Sequence, residues 1–200
     1  NERLIQLVED LLNVSRIESG RMEFVFGKFK VEDTIKELYD TFSVIAKGKG
    51  LYLHLDLPQN PLPEIEADGS KTREVFSNLI DNALKYTKRG GVTVKAEFLN
   101  NQIWNVSHLG GKAETISGNI VKISISDTGM GVPDTELPYL FSKFSRGKDT
   151  SRLHVSGTGL GLYVGKNIIE SQHGRIYVES EGSGKGSKFI IELPVVQPKG

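Results

Sequence analysis

The sequence predicts an α+β fold: a two-layer α/β sandwich with a mixed sheet of about five strands, three helices on one face, and an additional N-terminal helix. Three observations carry this. Short stretches with apolar residues at every second position alternate with stretches of helical period. No apolar run approaches membrane-spanning length. Finally, two glycine clusters, Asp127-Thr128-Gly129-Met130-Gly131 and Gly157-Thr158-Gly159-Leu160-Gly161, follow a strand and precede a helix. Glycine recurs in that way where backbone must come close to something.

The first element is a helix over residues 1–20, with Leu4, Leu7, Val8, Leu11, Leu12, Val14 and Ile17 at helical spacing and Gly20 as its stop. Two readings fit the stripe: a core helix, or the end of a long dimerising helix whose partners lie upstream. Its width for one short helix favours the second. Residues 22–29 read as a short strand and 31–47 as an amphipathic helix carrying Ile35, Leu38, Phe42 and Ile45. In strand 51–57, Leu51, Leu53, Leu55 and Leu57 share one face, which puts His54 on the outer face rather than in a catalytic role. Pro58, Pro61 and Pro63 lead to the next helix.

That helix, over 70–88, has Val75, Phe76, Leu79, Ile80, Ala83, Leu84 and Tyr86 on one half of its wheel at about 100° per residue. Asn78, Asn82 and Lys85 form a narrow polar row on the other half. Asparagine is a mediocre helix former, so two of them one turn apart suggest a pocket edge more than a solvated face. Strands follow at Val92–Phe98 and Val121–Ile125, separated by a polar, glycine-bearing hairpin or loop over 99–118 that shows no chemistry. Asp127 shares the parity of Val121, Ile123 and Ile125, so it points to the core face. A carboxylate there needs donors, from a ligand's amino group or from amides of the following turn. The second glycine cluster favours the ligand.

Residues 134–144 suggest a short helix with Leu137, Leu140, Phe141 and Phe144, and 145–156 a mobile polar loop. Helix 158–173, stopped by Gly174, precedes strands 175–179 and 187–193, which are joined by a turn over 182–186.

Composition narrows the functional classes. Hydrophobic content of 38% and charged content of 25% are ordinary for a globular chain, and the formal net charge is zero. Nothing global therefore points to nucleic acid or an acidic membrane surface. No cysteine is present, and the four histidines, His54, His108, His154 and His173, lack metal-ligand spacing. With no signal peptide or membrane span, a cytoplasmic location is expected, any anchor lying in segments outside this sequence. The helical start at Asn1 reads as a piece of something longer.

Glycine chemistry narrows them further. No window fits G-x-x-x-x-G-K-[ST]; the stretch 182–187 only imitates it, with no helix after. The dinucleotide fingerprint, protein-kinase signatures and nucleophile elbows are also missing.

The set that does match resembles the histidine kinases of two-component signalling, which share a nucleotide fold with Hsp90-type chaperones and gyrase. Asn78-Leu79-Ile80-Asp81-Asn82-Ala83-Leu84-Lys85-Tyr86-Thr87 resembles the N box and Asp127 through Pro133 the G1 box. Leu140-Phe141-Ser142-Lys143-Phe144 resembles the F box, and Gly157 through Leu162 the G2 box. Residues 7–20 look like the end of the second dimerisation helix. The resemblance thus implies a dimerisation-helix remnant over 1–20 and a catalytic ATP-binding domain over 21–200, with a lid over about 132–157.

It also implies roles. Asp127 would accept from the adenine amino group, helped by a water on Ser187. Asn82 would bind Mg²⁺ through its amide oxygen with Asn78 assisting, as suits a cation that keeps most of its waters. Lys85 and Arg146 would neutralise phosphate, so that Asn78, Asn82, Lys85 and Arg146 form the catalytic set. Gly157, Gly159 and Gly161 would wrap the phosphates, and Phe141 and Phe144 would pin the lid. Tyr86, Gly129, Gly131, Val132, Thr158, Leu160 and Leu162 complete the implied ATP-binding set with Phe144 and Ser187. The family's acceptor motif, His-Glu-Leu-Arg-x-Pro, is absent here. The implied partners are ATP, a histidine-bearing dimerisation domain and a response-regulator receiver domain, with no nucleic acid, and the full-length protein a homodimer. Two other readings are an ATPase clamp and a non-catalytic nucleotide module; against the first, Asn78 stands where such clamps carry a glutamate base.

Overall fold

The computed structural model describes residues 2–107, 113–145 and 158–198. The implied lid residues Arg146 and Gly157, and the polar loop expected between them, lie outside that set. The elements are α1 (Glu2–Glu18), β1 (Gly27–Phe29), α2 (Val31–Gly48), β2 (Tyr52–Asp56), β3 (Ile65–Ala67) and α3 (Gly69–Tyr86). They continue with β4 (Gly91–Ser107), β5 (Ala113–Asp127), α4 (Gly161–Glu170), β6 (Arg175–Glu179) and β7 (Ser187–Pro194). Five strands form one mixed sheet in the order β2-β4-β5-β7-β6, with β2–β4 parallel and the other pairs antiparallel. The expected two-layer sandwich is the observed one.

Alternation explains the core. Val92, Val94 and Ala96 of β4, Val121, Ile123 and Ile125 of β5, and Phe189, Ile191 and Leu193 of β7 all turn to the helix layer and are buried. They meet Val75, Phe76, Leu79, Ile80, Ala83 and Leu84 of α3, the apolar half of its wheel. Each of these side chains larger than alanine is worth roughly 1.5–3 kcal/mol on leaving water. Helix α3 is therefore pinned along its length, which holds its polar row steady. Among the described residues no helix is long and apolar enough to cross a membrane.

The start of α3 is fixed by a buried polar knot. Asp68 caps it by accepting from Lys71 N at 3.0 Å, and its other oxygen accepts from Val25 N at 2.9 Å. Gln172, fully buried after α4, accepts from Asp68 N at 2.6 Å and donates to the Ile168 carbonyl at 3.1 Å. Exchanging Gln172 for leucine leaves the Asp68 amide buried without a partner. Urea unfolding should show a loss of about 1–3 kcal/mol, whereas a solvent-facing glutamine would cost almost nothing.

On the outer face of the sheet, Glu97, Lys122, Glu192 and Arg175 stand in register across β4, β5, β7 and β6. Lys122 pairs with Glu97 at 3.7 Å, and buried Glu192 takes Arg175 and, at 3.0 Å, the Tyr177 hydroxyl. Burial first, then the Glu192 charge, push the Tyr177 phenol up to about 12. A phenol that holds its proton harder when folded adds stability in full below pH about 10 and loses it as the pH rises towards 12. Thermal melts between those values should show Tyr177→Phe declining less steeply than the native chain.

Several expectations are corrected. The strand expected over 22–29 is only Gly27–Phe29, paired with β3, which went unforeseen because three residues behind a proline run show no period. Helix α3 stops at Tyr86 rather than 88, because Thr87 is extended and its hydroxyl donates back to the Ala83 carbonyl at 2.7 Å. The helix expected over 134–144 is a single 3-10 turn, Leu137–Tyr139; Pro138 has no N–H to continue it. Helix 158–173 begins only at Gly161, and its left-handed stop is His173 (φ 57°) rather than Gly174. The stretch over 99–118 belongs to a long hairpin arm of β4 and β5, with a bulge between Leu99 and Gln102. Trp104 anchors it: the ring is buried with Val106, Ile116 and Ile120, and its N–H donates to the His173 carbonyl at 2.8 Å.

Candidate functional site

A cleft of about 1260 Å³ runs along α3, between the start of α4 and the loop that follows β5. The polar row of α3 and the inward carboxylate of β5 both line it. Asn78, Asn82, Lys85 and Tyr86 line one wall, and Asp127, Gly131, Val132 and Ser187 close one end. Thr158, Gly159, Gly161 and Leu162 form the opposite lip. The N-terminal N–H groups of α4 open at that lip, where a helix favours an anion.

Asp127 is buried at the tip of β5. One of its oxygens accepts from Gly129 N at 2.7 Å and the other from the Ser187 hydroxyl at 2.5 Å. The turn amide is thus one donor to this carboxylate, and each of its oxygens keeps a further lone pair. Ser187 bonds Asp127 directly. The turn between β6 and β7 completes this end of the cleft: Gly184 N donates to the Met130 carbonyl at 2.6 Å and Gly186 N to the Gly129 carbonyl at 3.1 Å. Ser180 braces both sides, accepting from Val132 N at 3.0 Å and donating to the Gly186 carbonyl at 2.8 Å. Met130, Ser183 and Gly184 accordingly line the cleft as well, unforeseen from the sequence.

Along α3, Asn82 Nδ2 donates to Asn78 Oδ1 at 3.2 Å, and the Lys85 ammonium lies 5.7 Å from the centre of the Tyr86 ring. Glu74, one turn before Asn78, also lines the cleft. Burial raises its carboxyl above the ordinary range, Asp10 and Glu9 add to this, and Lys71 opposes it. Helix α1 reaches the site from outside the sandwich. Asp10 accepts from the Thr158 hydroxyl at 2.5 Å, and Glu18 pairs with Lys143. Val14 is buried, yet Leu4, Ile5, Val8, Leu11 and Leu12 remain exposed.

Three members of the implied set do not face the cleft. Leu160 is wholly buried and serves packing. The Gly129 amide is engaged by Asp127 beneath the cleft surface. Phe144 takes φ 57° and is 61% exposed, whereas Phe141 meets Phe189 edge-on at 6.4 Å. Arg146 and Gly157 lie outside the described residues.

No group of three or more His, Cys, Asp or Glu among the described residues could hold a metal ion. A cation here would have to arrive with its own oxygen donors and take one neutral amide oxygen from the wall. Magnesium carried by a polyphosphate fits that donor set.

The profile of the "Histidine kinase-, DNA gyrase B-, and HSP90-like ATPase" family matches residues 67–197. Among curated proteins, the non-motile and phage-resistance protein of Caulobacter vibrioides is 33% identical over 97% of this chain. Histidine kinase 5 of Arabidopsis thaliana is 31% identical over 96%. The chain spans about a fifth (21%) of the length of each. Among solved structures, full-length ShkA in complex with AMPPNP superimposes with a TM-score of 0.76 at 26% identity, covering 98% of this chain and 37% of that one. Sheet order, cleft and sequence converge: the chain belongs to the histidine kinase-, DNA gyrase B- and HSP90-like ATPase family, as a catalytic domain of the histidine-kinase type.

Proposed function

We propose that the chain binds Mg-ATP and passes the γ-phosphoryl to a histidine on a dimerisation domain outside these residues, for relay to an aspartate of a response regulator. The observation that carries this is the cleft itself, which gathers two amides and a lysine on one helix, a buried carboxylate at one end and a helix N-terminus at its lip. Asp127 takes the adenine amino group, and the open N–H groups of α4 take phosphate oxygens. Lys85 and, in the lid, Arg146 offset the negative charge. Bound with the nucleotide at Asn82, magnesium would neutralise the phosphates. In the transfer, an imidazole nitrogen bonds to the γ-phosphorus as the bond to the bridging oxygen breaks, and ADP leaves. Asn78 cannot accept a proton, so water is not activated there.

Helix α1 supports the dimerisation reading of residues 1–20, since one side seats on α4 while an apolar stripe stays uncovered. A stripe of that kind suits a helical bundle in a homodimer. With ATP as phosphoryl donor, the domain works in the cytoplasm.

The test mixes this chain with a separately made dimerisation domain bearing its histidine and with γ-labelled ATP. Acid-labile label should appear on the added domain and none on this chain alone. Steady phosphate release with no acceptor would favour an ATPase clamp, and nucleotide binding without either outcome would leave a non-catalytic module.

A further inference from the structure

We propose that Ser180 is a positioning residue for recognition of the base, acting through Val132 from outside the cleft. The proposal rests on the nucleotide reading above. Strands β5, β7 and β6 lie side by side in the sheet. The chain leaves β5 towards Val132, enters β7 from Gly186 and leaves β6 at Ser180, so three strand ends meet here. One hydroxyl joins them. Ser180 Oγ accepts from Val132 N at 3.0 Å and from Gly182 N at 3.3 Å, and donates to the Gly186 carbonyl at 2.8 Å. A hydroxyl has one proton to give and two lone pairs to offer. All three are engaged, so the group is fixed in place.

The loops it joins have no slack between them. Gly131 has φ +67°, and a β-carbon there would lie 2.1 Å from the Gly182 carbonyl oxygen, so the two main chains pack back to back. The other tethers between these loops are main-chain bonds, from Gly184 N to the Met130 carbonyl and from Gly186 N to the Gly129 carbonyl. At Val132 a side chain takes over: the N–H is held by Ser180. Val132 lines the cleft together with Asp127, whereas Ser180 does not reach it. Asp127 serves the polar edge of a purine, and Val132 supplies apolar surface at the same end, the usual division of labour in a small-molecule pocket. Ser180 thus fixes where that surface stands without touching the ligand.

Ser180→Ala removes that hold and leaves the main-chain tethers, so the fold should survive while Val132 loosens. Calorimetric titration with ATP and with base-free tripolyphosphate, both in magnesium, separates the two ends of the cleft. ATP affinity should fall about fivefold to tenfold, the size of one lost hydrogen bond. Tripolyphosphate affinity should hold, because that probe meets only the polar row of α3 and the start of α4. In a chain already carrying Val132→Ala, Ser180→Ala should cost ATP nothing further, since no side chain remains to be placed. If Ser180→Ala does not fold by circular dichroism, Ser180→Cys, of similar volume with a weakly bonding thiol, carries the same comparison. Equal losses for ATP and tripolyphosphate would indicate a merely structural role and overturn the proposal. Unchanged ATP affinity, or additive losses in the double variant, would overturn it too. A native chain that binds tripolyphosphate as tightly as ATP would instead overturn the base reading, and one that binds neither the nucleotide reading.

Discussion

Asp127→Asn is expected to weaken ATP binding about tenfold to a hundredfold, the equivalent of roughly 1–3 kcal/mol, with little loss of fold. The geometry separates the two effects. In the native chain Gly129 N and the Ser187 hydroxyl donate to opposite oxygens of the carboxylate. Asparagine can keep its oxygen towards Gly129 and turn its NH₂ towards Ser187, whose hydroxyl can rotate to accept. The protein's own bonds survive, but the acceptor offered to an exocyclic amino group becomes a donor. Adenine then loses its partner, whereas guanine, with an oxygen at that position, gains one. Fluorescent-analogue competition with ATP and GTP should therefore show the preference for ATP shrinking by more than overall affinity falls. Unchanged ATP affinity would remove Asp127 from the site.

The residues that could be found in advance were those governed by a local period. Asn78, Asn82 and Lys85 fall on one row because a helix repeats every 3.6 residues. Asp127 faces inward because a strand alternates every two. Both patterns persist here since each element is buried along one face and cannot slip. The parts that escaped depend on contacts between distant segments. The turn over 182–186 reads as a bare hairpin connection, yet its amides tie it to Met130 and Gly129 and make it one end of the cleft. Asp10 and Thr158 meet across 148 positions, and no spacing rule links them. Short elements escaped for another reason: β3 and the 3-10 turn are three residues each, too brief to show a period. Phe144 has a left-handed backbone, φ 57°, which a helical reading of 134–144 does not foresee.

The same turn yields the largest expected loss of stability. Gly186 has φ +73°, and a β-carbon on it would lie 2.0 Å from the Asp127 carbonyl oxygen. A left-handed backbone costs a non-glycine residue roughly 1–2 kcal/mol. The overlap is worse, because the obstacle is main chain at the last pair of the β5–β7 ladder, where Asp127 stands opposite Ser187. Relieving it means shifting one strand against the other, at about 1–3 kcal/mol more. Gly186→Ala should therefore lose roughly 2–5 kcal/mol, much of a typical domain's 5–15 kcal/mol, and should bind nucleotide poorly because Asp127 moves with the strand. Gly184→Ala is the control. Its φ is +79°, nearly the same, but nothing lies within 4 Å of the added carbon. Only the backbone term remains, so urea midpoints should rank native, Gly184→Ala and Gly186→Ala in falling order. Should the two alanine variants unfold together, the close packing of this turn against the tip of β5 contributes nothing, and the end of the cleft is held by hydrogen bonds alone.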